Sequence, residues 1–241
     1  MNKEIFKEIL SKGLKEMGIQ YKEGLSDKLY IYMNFLLKEN SKYNLTAIDQ
    51  PEEIISKHFF DSLIYFQKYD LKEGIKVIDI GTGAGFPGLV FKLYRPDLEI
   101  LLVDSLNKRI KFLNTLIEML DIVGIKAIHA RAEELGINEL YREKFNLAVS
   151  RAVASINTLS EYTIPFLSKG GSVVYFKGPD YQQEMEEAIE AVEKLGGKFE
   201  EIHKVNIPNI KGERFLIEVK KVGMTPPKYP RRPGIPKKRP L

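Results

Sequence analysis

The residues best placed to do chemistry lie in one run, Val77-Ile-Asp-Ile-Gly-Thr-Gly-Ala-Gly-Phe-Pro-Gly88. An apolar, β-branched stretch leads straight into closely spaced glycines, the pattern of a buried strand turning through a ligand loop into a helix. Gly81, Gly83 and Gly85 let the backbone turn sharply and approach a ligand. The helix beyond would offer free N–H groups to an anionic group. A dinucleotide fingerprint, Gly-x-Gly-x-x-Gly, needs glycine where Phe86 stands, and the Gly-Lys-Ser/Thr of a P-loop is missing. Asp79 precedes the glycines, and Asp104 follows at the spacing of a carboxylate that accepts hydrogen bonds from a ribose diol. Two carboxylates around such a loop would repel a pyrophosphate. They suit a ligand that carries an amino group and a sulfonium.

Holding these residues together requires strands that end at one edge. From Lys76 onward, short apolar runs alternate with amphipathic segments. Strands are predicted at Val77–Ile80, Glu99–Val103, Lys126–Ala130, Asn146–Ser150, Ser172–Lys177, Phe199–Asn206 and Arg214–Val222. Helices are predicted at Phe86–Arg95, Asn107–Ile122, Ser155–Leu167 and Tyr181–Leu195. This alternation predicts an α/β fold with a mostly parallel sheet flanked by helices. The last two strands are separated by a loop alone, so they should pair as a hairpin, with one strand antiparallel. Residues 1–70 read as a helical extension: apolar spacing from Ile5 to Met17, a helix capped by Ser26, a loop at Ser41–Thr46, and a helix opened by Pro51.

The chain has 241 residues, 44% apolar and 29% charged, which is ordinary globular usage and excludes disordered or collagen-like classes. It has no cysteine, which excludes disulfide frameworks, CxxC zinc sites and a thiolate nucleophile. With three histidines, no metal site is expected. No apolar run approaches the ~18 residues of a membrane span, and Met1–Glu4 opens no signal segment, so a cytoplasmic location and no membrane role are expected. The net charge of +4 divides unevenly. Residues 219–241 carry eight Lys and Arg and no acid, leaving the first 218 at −4. The domains thus read as 1–70, 71–222 and a basic tail at 223–241. That tail holds six of the twelve prolines and should be neither helix nor strand. A stiff basic tail suits a polyanionic partner, or it docks on the body.

The runs Asp79-x-Gly-x-Gly-x-Gly85 and Val103-Asp104 resemble class I S-adenosylmethionine methyltransferases with a Rossmann-like sheet. Together with Asn44-Leu-Thr46, His58-Phe-Phe-Asp-Ser-Leu63, Ala130-Arg-Ala-Glu-Glu134, Val149-Ser-Arg-Ala152, Phe176-Lys-Gly178 and Arg232-x-x-Gly-x-Pro-x-Lys-x-Pro-Leu241, the pattern resembles the RsmG (GidB) family along nearly the whole chain. The resemblance implies methyl transfer from S-adenosylmethionine to N7 of one guanine in a loop of small-subunit (16S) ribosomal RNA. The implied partner is that RNA, the subunit or an assembly intermediate.

On this reading Asp79, Gly81, Gly83, Gly85 and Phe86 bind the cofactor, with Phe86 covering it. Asp104 takes the ribose rather than merely capping the helix at Asn107. Ser105 and Leu106 line the adenosine, and Ala132 and Glu133 hold the adenine edge. Arg151 follows strand four, where it could bind the cofactor carboxylate or an RNA phosphate; the resemblance favours the cofactor. Asn44, Thr46, His58 and Asp61 are expected to shape the target pocket, with Lys177, Arg231, Arg232, Lys237 and Lys238 on RNA. The chain carries no Asn/Asp-Pro-Pro-aromatic run of the kind used on exocyclic amines, and no cysteine for pyrimidine C5. Guanine N7 has an in-plane lone pair and needs no deprotonation, so no essential general base is expected, only alignment. A monomer is expected. Competing readings are a class I methyltransferase of small molecules or proteins, a cofactor-free RNA-binding protein, and a dehydrogenase, which the glycine spacing disfavours.

Overall fold

The structure, a computed structural model, describes residues 1–151 and 154–241. In α1 (Lys3–Glu16) the Asn2 side chain accepts from the Ile5 N–H at 2.9 Å, and Phe6, Leu10 and Leu14 are buried at helical spacing. α2 (Leu25–Tyr43) starts at Gly24, whose φ is 75°, not at Ser26. Ser26 lies inside the helix and its hydroxyl accepts from Tyr21. α2 also runs through Ser41–Tyr43, expected to be loop, and Asn44 ends it at φ 47°. Proline opens α3 (Pro51–Ile54), as expected. The chain then winds on as a π-helical turn (Ile55–Phe60), α4 (Asp61–Leu63) and a 3₁₀ turn (Ile64–Gln67).

Seven strands follow: β1 (Lys76–Ile80), β2 (Glu99–Asp104), β3 (Ile125–His129), β4 (Phe145–Arg151), β5 (Leu167–Lys177), β6 (Gly197–Val205) and β7 (Arg214–Lys221). Between them lie α5 (Gly88–Tyr94), α6 (Asn107–Met119), α7 (Ala132–Leu135), α8 (Ile156–Thr163) and α9 (Tyr181–Lys194). The sheet order is β3-β2-β1-β4-β5-β7-β6. β1 to β5 are parallel, and β7 runs antiparallel to both β5 and β6, completing the expected hairpin. Several boundaries differ from expectation; α6, for instance, stops at Met119 rather than Ile122. β5 starts at Leu167 because that residue pairs with Phe145, although Ser168–Gly171 has no strand pattern. α5 starts at Gly88 rather than Phe86. α8 stops at Thr163, where Pro165 turns the chain into a 3₁₀ segment.

Period-2 alternation assigns each strand residue to a face. Val77, Ile100, Leu102, Leu147, Val149, Val174 and Phe176 join the core beneath α1, α2, α5 and α6. Ile78, Ile80, Leu101, Val103, Ala148, Val173 and Tyr175 join the core beneath α8 and α9. The helical extension therefore shares one core with a face of the sheet. The tail docks on the opposite face. Arg142 donates to the carbonyls of Gly136, Thr225 and Tyr229 at 2.9, 2.7 and 2.8 Å. Buried Lys221 reaches Thr225 and Glu143. Against expectation the tail contains one helical turn, α10 (Ile235–Lys238), begun by Gly234 at φ 82°.

Candidate active site

Strand order reverses between β1 and β4, and their carboxyl ends open a crevice there, where open α/β sheets bind ligands. The glycine loop forms its floor. The Gly81 and Thr82 N–H groups both donate to the Val103 carbonyl, at 2.9 and 3.1 Å, clamping the loop to β2. Gly81, Gly83 and Gly85 adopt φ of 72°, 61° and 107°. A Cβ on Gly85 would stand 2.6 Å from the Tyr32 hydroxyl, whereas one on Gly83 would meet nothing within 4 Å.

Asp79 is fully buried beneath this loop. Its Oδ2 accepts from the Thr82 hydroxyl at 2.7 Å and the Gly88 N–H at 2.8 Å, and its Oδ1 has no partner among the described residues. Burial pushes its carboxyl up to about 6, against the pull of those two hydrogen bonds. Asp79 thus braces the loop from below. Asp104 ends β2 at the cavity wall. Its Oδ2 accepts from the Gly83 N–H at 2.9 Å and Arg109 Nη1 at 3.0 Å, and its Oδ1 accepts from the Leu106 N–H at 2.9 Å.

Two chambers meet at Gly81, Asp104, Ser105 and Lys237. The first, about 260 Å³, is lined further by Ile80, Ala132, Glu133 and Tyr162. Glu133 is buried and accepts from the Gly234 N–H of the tail at 2.9 Å, so it is not a solvated first-turn acid. The Leu106 side chain is exposed, and only its backbone takes part.

The second chamber, about 520 Å³, is lined by Thr46, His58, Gly83, Ala84, Phe86, Arg109 and Arg151 among others. Phe86 is sandwiched there. Tyr32 stacks on it at 5.2 Å between centroids and His58 at 4.3 Å, with the Arg151 guanidinium 5.2 Å from its ring centre. Arg151 also donates to Asp61 Oδ2 at 2.6 Å, the Lys57 carbonyl at 3.2 Å and His58 Nδ1 at 3.1 Å. Burial first, and the Arg151 cation second, lower His58 to about 3, so the ring is neutral. A π-helical turn carries His58, and Asp61 follows directly after it. Such turns recur at functional sites.

The remaining expected residues divide. Asn44 is exposed and ends α2. Asn40, which no sequence motif marks, pins the loop instead: its Oδ1 accepts from the Leu45 and Thr46 N–H groups at 2.7 and 2.9 Å. Lys177 is tied to Glu184 at 2.6 Å and the Ala154 carbonyl at 2.9 Å, away from solvent. Arg231 forks onto Glu161, which is 1% exposed, at 2.6 to 3.0 Å. Arg232, Lys237 and Lys238 are exposed, and Lys237 overhangs both chambers. Tyr32, Thr82 and Arg109 also join the site without having been expected there. Tyr32 is marked only by a distant partner, the Ala84 carbonyl, whereas Thr82 lies within the glycine run and bonds Asp79, and Arg109 bonds Asp104 five residues before it.

A family model for the rRNA small subunit methyltransferase G matches residues 25–214. The chain belongs to that family. It is 44% identical to the ribosomal RNA small subunit methyltransferase G of Desulforamulus reducens, covering 96% of this chain and 97% of the relative. It is 46% identical to that of Lachnoclostridium phytofermentans, over 95% of each chain. Among solved structures, M. jannaschii TYW2 in complex with AdoMet shares the fold at TM-score 0.54 and 15% identity, over 72% of this chain and 77% of that one. TrmN from Thermus thermophilus does so at TM-score 0.52 and 14% identity, over 70% and 53%. The chain is an S-adenosylmethionine-dependent methyltransferase of small-subunit ribosomal RNA.

The first chamber fits that methyl donor chemically. Its polar lining offers the acceptors Asp104 and Glu133, suited to a diol and an amino edge. The unpartnered Oδ1 of Asp79 adds negative potential under the loop. Among the described residues no helix is long and apolar enough to cross a membrane, and no three His, Cys, Asp or Glu gather to hold a metal.

Proposed function

We propose that the chain methylates N7 of a guanine held in the second chamber, with S-adenosylmethionine laid from the glycine loop across Asp104 to Glu133 in the first. The cofactor supplies the methyl group as an electrophilic carbon on a sulfonium sulfur. Asp104 and the backbone of Ser105 and Leu106 orient its ribose and adenine, and Glu133 takes the adenine edge. Phe86 lines the second chamber, its ring held by Tyr32 and His58.

One observation carries the choice of acceptor atom: the side chains that could serve as bases in this chamber or behind its wall are already engaged. His58 is neutral, with one nitrogen on Arg151 and the other on Thr46. Asp61 is paired with Arg151 and Arg214. Asp104 is paired with Arg109. N7 attacks with its own lone pair, so proximity and alignment suffice. The chamber then has to exclude water and fix the purine plane, for which the aromatic stack and its rigid supports are suited.

The exposed Lys237 and Lys238 at the rim support contact with RNA phosphates. The guanine would come from an unstacked loop, the form in which RNA bases are generally read. The chain carries both chambers, which supports action as a monomer, and a ribosomal RNA substrate, in the subunit or an assembly intermediate, supports a cytoplasmic location. The test is tritiated methyl incorporation into unmethylated small-subunit RNA and particles, followed by chain scission at 7-methylguanine. A single labelled scission site is the expected result. Label in a pyrimidine, an exocyclic amine or protein would overturn the reading.

A further inference from the structure

The chain of hydrogen bonds from Arg151 has a fixed proton direction at every link. A guanidinium has donors only. Arg151 Nη2 lies 3.1 Å from His58 Nδ1, so Nδ1 accepts. A neutral imidazole carries one N–H, which must then be on Nε2. That nitrogen lies 2.9 Å from Thr46 Oγ1 and donates to it. The Ile48 N–H donates to the same oxygen at 3.1 Å. A hydroxyl oxygen has two lone pairs, and both are now taken. The Thr46 proton is used by neither bond and meets no acceptor among the described residues. It can only be donated, and Thr46 lines the chamber beside His58 and Phe86. Its backbone is held from behind: Asn40 accepts from the Thr46 N–H and donates to the Thr46 carbonyl at 3.0 Å.

We propose that Thr46 is the specificity-determining donor to the target base and reads guanine O6. This rests on the guanine-N7 reading above and goes beyond it by assigning the base choice to one hydroxyl. On the edge that presents N7, guanine carries the acceptor O6, whereas adenine carries the N6 amino donor. A Thr46 hydroxyl able to donate and unable to accept pairs with O6 and opposes N6. Arg151 and His58 act through Thr46 as positioning residues.

The experiment uses the full chain with Thr46→Val, which keeps the shape and removes the hydroxyl, and Thr46→Ser, which restores it. The substrates are reconstituted small-subunit particles carrying guanine, inosine, 2-aminopurine or adenine at the position the wild type methylates. Inosine keeps O6, and 2-aminopurine keeps N7 without O6. Single-turnover methyl transfer is read, with S-adenosylhomocysteine affinity confirming an intact donor site. The wild type and Thr46→Ser should prefer guanine and inosine over 2-aminopurine. Thr46→Val should lose about 10–100-fold on guanine, the worth of one good base contact, with 2-aminopurine unchanged. Thr46→Val retaining the wild-type guanine preference overturns the proposal while leaving the N7 reading in place. A wild type that labels no guanine overturns both. If Thr46→Val loses donor affinity, Thr46→Ser decides, since failure to preserve guanine preference there also overturns it.

Discussion

Arg151 and Asp61, ninety residues apart in the chain, meet at 2.6 Å with both side chains almost out of solvent. This pair fastens the helical extension to the end of β4 and so builds the wall of the second chamber. Removing one partner of a buried pair strands the other, at about 3 kcal/mol. Arg151→Met should therefore lower thermal stability and cut methyl transfer by more than about tenfold, the rate equivalent of 1.4 kcal/mol. Its bonds point to the extension, so donor affinity measured by calorimetry should fall far less than the rate. Equal losses in both would return Arg151 to the cofactor.

His58 sets a pH dependence. Its pKa is about 3 in the fold against an ordinary 6.5, because burial and Arg151 disfavour its charge. The depressed value contributes stability that is fully present above pH 6.5 and is lost as pH falls toward 3. Each unit of separation is worth about 1.4 kcal/mol. Asp79 works oppositely: its raised value gives stability below 3.8 that is lost as pH rises through about 6. The difference between wild type and His58→Gln isolates the histidine. Urea denaturation from pH 7 to 4 should show the wild type losing stability faster than the variant.

Two of the three loop glycines, Gly83 and Gly85, should separate folding from binding. Gly85→Ala places a methyl 2.6 Å from the Tyr32 hydroxyl and 2.9 Å from Leu113 at φ 107°, so it should lower the melting temperature strongly. Gly83→Ala has open space around its methyl at φ 61° and should cost only about 1 kcal/mol of stability. Gly83 lies on the loop proposed to carry the donor and lines the second chamber, so donor affinity should suffer more than stability. A Gly83→Ala chain with wild-type donor binding would remove Gly83 from the site.

The tail should divide in the same way. Arg231→Ala leaves the buried Glu161 carboxylate without its cation and with the residue 231 backbone N–H still donating to it, a cost of about 3 kcal/mol. It should release the tail to proteolysis. Replacing exposed Lys237 and Lys238 together with alanine should leave melting unchanged and weaken RNA binding. It should also flatten the salt dependence of that binding by roughly one unit for each phosphate no longer neutralised. An unchanged salt slope would place the RNA elsewhere.

The sequence alone determined the local geometry. Glycines at alternate positions allow the left-handed backbone of the loop, and alternating apolar residues assign each strand to its two cores. The carboxylates Asp79 and Asp104 were legible by spacing, because a strand end and its loop are neighbours in the chain. Their division of labour was not: both read as ligand groups, and burial made Asp79 a brace under the loop. The same holds for the basic tail. Its charge was plain, yet only packing decided that Arg231 spends its guanidinium on Glu161 while Lys237 stays exposed at the rim. Ser26 shows the limit from the other side, since a good capping residue sits inside the first turn when Gly24 takes the cap position. The joining of Thr46, His58, Asp61 and Arg151 could come only from the tertiary structure. Hydrogen-bond direction depends on which groups are brought within 3 Å of one another, and sequence separation carries no information about that.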